Sequence, residues 1–145
     1  MMKTKQRKLL LLLAVVFWMA IIFKFSAQPG EQSNLLSSRV TGVIVAVLRR
    51  VDPDARVTVF NHFIRKCAHL LVYMILGIVG LFVFSKLGYA GRKGLLLTLM
   101  VCVGYAISDE IHQYFVPERT PRITDVLIDT SGALLGIGLY KRRLE

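Results

Sequence analysis

Four blocks of apolar residues punctuate this chain, each close to the ~20 residues an α-helix needs to cross a bilayer. The first covers residues 9–25 and is broken only by Lys24, and the second covers 67–84 with His69 near its start. The third begins at Gly94 and stays uncharged to Ser108; it reaches spanning length only by continuing through Asp109, Glu110 and His112 to Phe115. The fourth covers 123–140 and holds Asp125 and Asp129. The pattern predicts an all-α polytopic membrane protein: a bundle of four transmembrane helices in one domain, residues 1–145. The first block also has the form of a signal peptide, with Phe25-Ser26-Ala27 as a poor cleavage site, but Lys24 and the length favour an uncleaved anchor.

Between the first two blocks lies a long loop, residues 26–66. Gln28-Pro29-Gly30 reads as a turn. Ser33 or Asn34 can then cap a helix on which Leu36, Val40, Val43, Ile44 and Val47 recur at helical spacing, ended by Arg49, Arg50 and Asp52-Pro53. The expectation is an amphipathic helix in an extracytoplasmic loop, on the membrane surface or capping the bundle. A short membrane-dipping helix is the alternative, since residues 40–48 are uncharged. His62 falls in the loop approach to the second span.

Composition agrees with a membrane protein: 54% of residues are apolar, 19% are charged, and mean hydropathy is +0.56. The net charge of +10 would suggest nucleic acid in a soluble chain. Here the cations cluster at block ends and no nucleic-acid motif is present, so the partners expected are membrane lipids and not nucleic acid. Lys3, Lys5, Arg7 and Lys8 precede the first span, Lys86, Arg92 and Lys93 separate the second and third, and Lys141, Arg142 and Arg143 follow the fourth. Only Arg119 and Arg122 lie between spans three and four. The positive-inside rule then puts both termini in the cytoplasm of a multi-pass protein. Six Lys/Arg in the long loop run against the tally, but long translocated segments obey the rule less strictly.

With that orientation three polar groups reach similar depth on one side: Arg65, Lys66 and His69 on span two, Asp109, Glu110 and His112 on span three, Asp125 and Asp129 on span four. Ionisable residues at such depth are costly unless they meet protein, water or each other. Lys66, His69, Tyr73, Gly77 and Gly80 form one helical stripe, and Asp125, Asp129, Gly132 and Gly136 another. Gly132 and Gly136 have GxxxG spacing, which permits close helix approach. Tyr105, Ser108, Asp109 and His112 are expected to share a face of span three, with Glu110 and Gln113 about 100° round from Asp109.

Several readings of this convergence stay open. The charges can simply pair and hold the helices together. They can instead line a polar pocket that takes an anionic or hydrogen-bonding headgroup, with Glu110 or Asp129 as an acid or base. His69, His112, Asp109, Glu110 and Asp125 are metal-ligand types, but no H-E-x-x-H or comparable spacing occurs, so no metal or cofactor is expected. Ser108 lies near Asp109 and His112, yet no G-x-S-x-G turn supports acyl transfer. Cys67 and Cys102 lack metal or redox spacing and read as free, packed thiols.

The segments that carry a resemblance are Phe25-Ser26-Ala27-Gln28-Pro29-Gly30-Glu31-Gln32-Ser33, Arg65-Lys66-Cys67-Ala68-His69-Leu70-Leu71-Val72-Tyr73, Ser108-Asp109-Glu110-Ile111-His112-Gln113, Pro117-Glu118-Arg119, and Asp125-Val126-Leu127-Ile128-Asp129 with Gly132 and Gly136. In order and spacing the chain resembles the VanZ-like family of small bacterial membrane proteins. The resemblance implies that Lys66, His69, Tyr73, Asp109, Glu110, Gln113, Arg119, Asp125 and Asp129 are its characteristic polar positions, and that Glu118 stands where glycine is common. It also implies a protein of the bacterial cytoplasmic membrane and cell envelope, of a family named for low-level resistance to the lipoglycopeptide antibiotic teicoplanin. The function expected is therefore an outer-leaflet pocket that binds a lipid, a lipid-linked cell-wall precursor or the lipoglycopeptide, with Arg65, Lys66 and Arg119 as anion contacts. The alternative is an outer-leaflet enzyme that acts on a lipid or cell-wall precursor through Glu110, Asp125, Asp129 and His69.

Overall fold

A computed structural model describes residues 4–48, 57–89 and 91–143. They form five helices: α1 (Thr4–Ser26), α2 (Gly30–Leu48), α3 (Val57–Lys86), α4 (Gly91–Gln113) and α5 (Ile123–Arg142). Four stretches are long and apolar enough to cross a membrane: Thr4–Ser26, Phe63–Lys86, Gly91–Gln113 and Ile123–Arg142. The fold is all-α, and no strand occurs among the described residues.

Among the described residues between the first two spans, α2 stands where a loop helix was expected, and helix resumes at Val57, where loop was expected. α3 starts at Val57, so His62 lies on that helix, although its side chain is outside the described residues. At 1.5 Å per residue the 30 residues of α3 measure about 45 Å, more than the ~30 Å hydrocarbon core. α2 starts at Gly30, directly after the Gln28-Pro29 bend, so Ser33 and Asn34 fall inside its first turns and do not cap it. Of the expected apolar stripe, only Ile44 is half-buried among the described side chains. Val40 and Val43 are exposed, whereas Thr41 and Val45 are buried and Ser33 and Ser37 are half-buried. α2 packs on α3 through a largely polar face. The side chains of Leu36 and Val47, and the expected terminator at Arg49, Arg50 and Asp52-Pro53, lie outside the described residues.

α4 ends at Gln113, two residues short of the expected Phe115. Backbone bonds from Phe115 to the His112 carbonyl (3.0 Å) and from Val116 to the Gln113 carbonyl (3.1 Å) tighten the chain into a turn.

α3 and α5 form the most extensive helix pair. Gly132 and Gly136 of α5 lie against the Leu70 and Met74 carbonyls, and Gly77 of α3 lies against the Ala133 carbonyl. A Cβ at any of the three would overlap that backbone, so these glycines set the interaxial distance. Around them Tyr73, Leu76, Val83, Cys102, Ala106 and Ala133 form the core. Both cysteines are free thiols. α1 joins through hydrogen bonds to helix carbonyls that include Trp18 Nε1 donating to Val72 (2.9 Å) and Tyr105 Oη donating to Met19 (2.6 Å).

Candidate functional site

At one end of the bundle, the C-terminal ends of α1 and α4 meet the N-terminal half of α3 and the first turns of α5. Helix periodicity delivers the polar groups there. His69 and Tyr73 lie one turn apart on α3, as do Asp125 and Asp129 on α5, and close α3–α5 packing at Gly132 presses the two stripes together. Lys66 Nζ is 2.8 Å from Asp125 Oδ1, and both side chains are partly buried. One turn deeper, His69 Nδ1 is 3.3 Å from Asp129 Oδ1, an ion-pair distance without the alignment of a hydrogen bond.

α4 closes the site. Asp109 is buried, and its Oδ2 accepts a 3.2 Å hydrogen bond from Gln113 Nε2 one turn on. Gln113 therefore shares the face of Asp109, a correction to the expected 100° offset, because four residues advance a helix by only about 40°. Ser108 is exposed and takes no part, whereas Tyr105 serves α1 through its bond to Met19. His112 stacks on Phe23 with ring centroids 4.4 Å apart and does not line the cavity described below.

Glu110 has a different task. Its Oε2 accepts the Arg122 backbone N–H at 2.7 Å, at the start of α5, where the helix dipole favours an anion. The N-cap residue Arg122 makes no side-chain cap bond, so a carboxylate from the neighbouring helix takes that role. Glu110 lines a separate, largely apolar groove of about 640 Å³ with Ile107, Tyr114, Phe115 and Ile123.

The site proper is a cavity of about 330 Å³ between α1, α2, α3 and the turn after α4. Arg65, His69, Asp109 and Arg119 supply its charged and titratable groups; Ile22, Phe25, Val40, Ile64 and Val72 supply apolar wall. Arg119 is positioned by two backbone carbonyls, with Nε donating to Gln28 (3.2 Å) and Nη2 to Phe25 (3.4 Å). Burial, with the Arg65 guanidinium adding to it, pulls Arg119 below the usual arginine range. Two like charges thus face one half-enclosed volume, where each disfavours the other. Lys66 and Asp125 are spent on each other and do not line this cavity.

Polar groups of α1, α2 and the bend between them, namely Ser26, Gln28, Ser33 and Ser37, also line the cavity and were not among the expected site residues. Their signal was present in the sequence: Ser33, Ser37 and Thr41 recur in steps of four and mark the inward face of α2.

Compared with known proteins, the chain matches the profile of the family described as VanZ/LLP1 over residues 11–144, nearly its whole length. No curated protein matches it, and no solved structure does.

Proposed function

This chain belongs to the VanZ/LLP1 family of membrane proteins, and on that premise we propose that its cavity binds the anionic headgroup of a lipid or lipid-linked cell-wall precursor. The observation that carries the reading is that Arg65 and Arg119 line one cavity of about 330 Å³ whose wall also carries apolar Ile22, Phe25, Val40, Ile64 and Val72. Guanidinium groups suit phosphate and carboxylate through planar paired donors. The apolar walls suit the first carbons of an acyl or polyprenyl chain.

The orientation belongs to the same proposal. Lys5, Arg7 and Lys8 at the start of α1, Arg92 and Lys93 at the start of α4, and Lys141, Arg142 and Arg143 at the end of α5 mark the opposite end of the bundle from the cavity. Under the positive-inside rule that end is cytoplasmic, both termini are inside, and the cavity opens to the outer leaflet of the cytoplasmic membrane. Exposed Tyr114, Phe115 and Ile123 then sit at the outer interface, where aromatic rings are favoured. Exposed Leu35, Val40 and Val43 would turn α2 towards acyl chains. Occupation of a lipid-linked precursor here would lower susceptibility to teicoplanin, whose acyl chain and target share that leaflet.

The test is lipid retention by purified protein in native mass spectrometry, comparing phosphorylated lipids with neutral diacylglycerol. Wild type should retain the phosphorylated species, and Arg65→Gln should lose the preference. Equal retention of both lipids by wild type would end the reading. Teicoplanin susceptibility of cells expressing wild type, Arg65→Gln or empty vector tests the resistance role separately; identical values in all three would remove it.

A second reading, an enzyme on the same headgroup, draws on His69: its ring lies at the cavity wall with the buried Asp129 carboxylate 3.3 Å away, close enough to orient it as a general base once the two align. New or missing envelope lipids in expressing cells would favour it, and an unchanged lipid profile would oppose it.

A further inference from the structure

We propose that His69, Asp109 and Asp129 bind one divalent transition-metal cation, Mn²⁺ or Zn²⁺, at the inner wall of the headgroup cavity. The three residues come from three helices, and one ligand atom of each lies within 4.8 Å of the others. Among the described residues this is the one cluster of metal-ligand types so arranged. No spacing in the sequence could show it, because each helix contributes a single ligand.

A second observation separates this cluster from an ordinary group of acids. Asp129 is completely buried, and neither of its carboxylate oxygens has a hydrogen-bond partner. Asp109 is 3% exposed, and its Oδ1 is also without one. His69 Nδ1 is buried and likewise unpartnered, although it faces Asp129 at 3.3 Å. Unsatisfied carboxylate oxygens are costly in a low-dielectric interior, and here they belong to residues whose ligand atoms lie within 4.8 Å of one another. The cations nearby do not answer them. Lys66 is held by Asp125, and Arg119 by two backbone carbonyls.

A divalent ion would satisfy these atoms and neutralise both carboxylates. Metal–ligand distances of about 2.0–2.2 Å place neighbouring ligands about 3 Å apart, so the triad needs only modest side-chain rotation to close on an ion. One imidazole with two carboxylates favours Mn²⁺, Zn²⁺ or Fe²⁺ over Ca²⁺. His69 and Asp109 also line the cavity, so the ion would keep an open side towards it. An oxygen of a bound headgroup could take that position while Arg65 and Arg119 met its remaining charge. The cation site stands on the triad alone; only this use of it rests on the headgroup reading.

The experiment uses full-length protein purified in detergent, stripped with EDTA and desalted, then titrated with Mn²⁺ or Zn²⁺ without added lipid. Calorimetry and elemental analysis should give about one ion per chain, as three ligands on one centre require. Asp129→Asn and His69→Gln should bind about 10- to 100-fold more weakly, or not at all. Asp125→Asn, at the same end but outside the triad, should bind like wild type. Pulsed electron paramagnetic resonance of the Mn²⁺-loaded protein should show an imidazole nitrogen that His69→Gln removes. No binding by wild type overturns the proposal, and so does equal binding by wild type and Asp129→Asn. If Asp129→Asn fails to fold, His69→Gln and the nitrogen signature decide. Loading that succeeds while phosphorylated and neutral lipids are retained equally keeps the cation site and removes the headgroup reading instead.

Discussion

Lys66 Nζ lies 2.8 Å from Asp125 Oδ1, so the lysine expected to meet an anionic ligand is already neutralised by α5. The pair joins α3 to α5 above the glycine contacts and leaves Arg65, one residue earlier, as the α3 cation that lines the cavity beside Arg119. Neighbours in sequence thus split between an interhelical ion pair and the cavity wall, because consecutive residues on a helix point about 100° apart.

The pair should therefore contribute to stability and not to ligand recognition. Lys66→Met and Asp125→Asn should each destabilise, and a double-mutant cycle should return about 1–2 kcal/mol of coupling, above the range for exposed pairs. Unfolding in mixed detergent micelles measures it. Additive single effects would show that the two groups are solvated separately.

The α3–α5 contact makes a sharper expectation. Gly132→Ala and Gly136→Ala place a Cβ on the Leu70 and Met74 carbonyls, backbone that cannot move aside. Each should cost about 1–3 kcal/mol, the usual range for overpacking. Gly138→Ala, on the same helix with nothing within 4 Å of its Cβ, should be neutral or slightly stabilising. Equal effects at positions 136 and 138 would mean that the helices do not approach as described.

Much of this was legible in the sequence, because in a membrane the apolar blocks and the depth of each charge are one-dimensional facts. Four spans, the shared end of Lys66, His69, Asp109, Asp125 and Asp129, and the small-residue seam all follow from length and period. Contacts within that end do not. Glu110 and Asp109 are adjacent in sequence, yet one caps α5 through Arg122 and the other faces His69 and Asp129. On α2 the apolar period misleads for a physical reason: a helix against a membrane bundle can bury Thr41, half-bury Ser37 and leave Val40 and Val43 exposed. The soluble-protein rule that apolar residues point inward does not transfer to lipid.

Glu118 has φ 61°, the one non-glycine residue with positive φ among those described. Its side chain offsets the strain, since Oε2 accepts the Glu31 backbone N–H at 3.0 Å, in the first turn of α2. Its carbonyl also lies against Gly30, so the turn after α4 and the start of α2 form one joint. Glu118→Ala keeps the strained backbone and loses the acceptor, and should cost about 1 kcal/mol. Glu118→Gly loses the acceptor but removes the strain, so it should be closer to neutral. Gly30→Ala should be worst of the three, because its Cβ would meet the Glu118 carbonyl. Thermal unfolding of the three variants ranks them; alanine outperforming glycine at position 118 would contradict the account.

α1 buries only Val15, Ile22 and Ser26, so its attachment rests heavily on hydrogen bonds: Trp18 to Val72, Tyr105 to Met19, and Arg119 to Phe25 near its end. Polar bonds between membrane helices contribute about 0.6 kcal/mol on average and at most about 1.7. Tyr105→Phe keeps the ring and removes only the hydroxyl donor, so loss of the bond to Met19 is its main consequence. A helix held this lightly should respond out of proportion: hydrogen exchange in α1 should quicken in Tyr105→Phe, and further with Trp18→Phe. Exchange in α5, locked to α3 by glycine contacts, should not change. Because α1 supplies Ile22, Phe25 and Ser26 to the cavity, retention of phosphorylated lipid should fall in parallel with α1 protection. Faster exchange with unchanged retention would mean that the cavity does not depend on α1. Unchanged exchange in both variants would mean that other contacts, such as Arg119 with Phe25 and His112 with Phe23, hold the first helix in place.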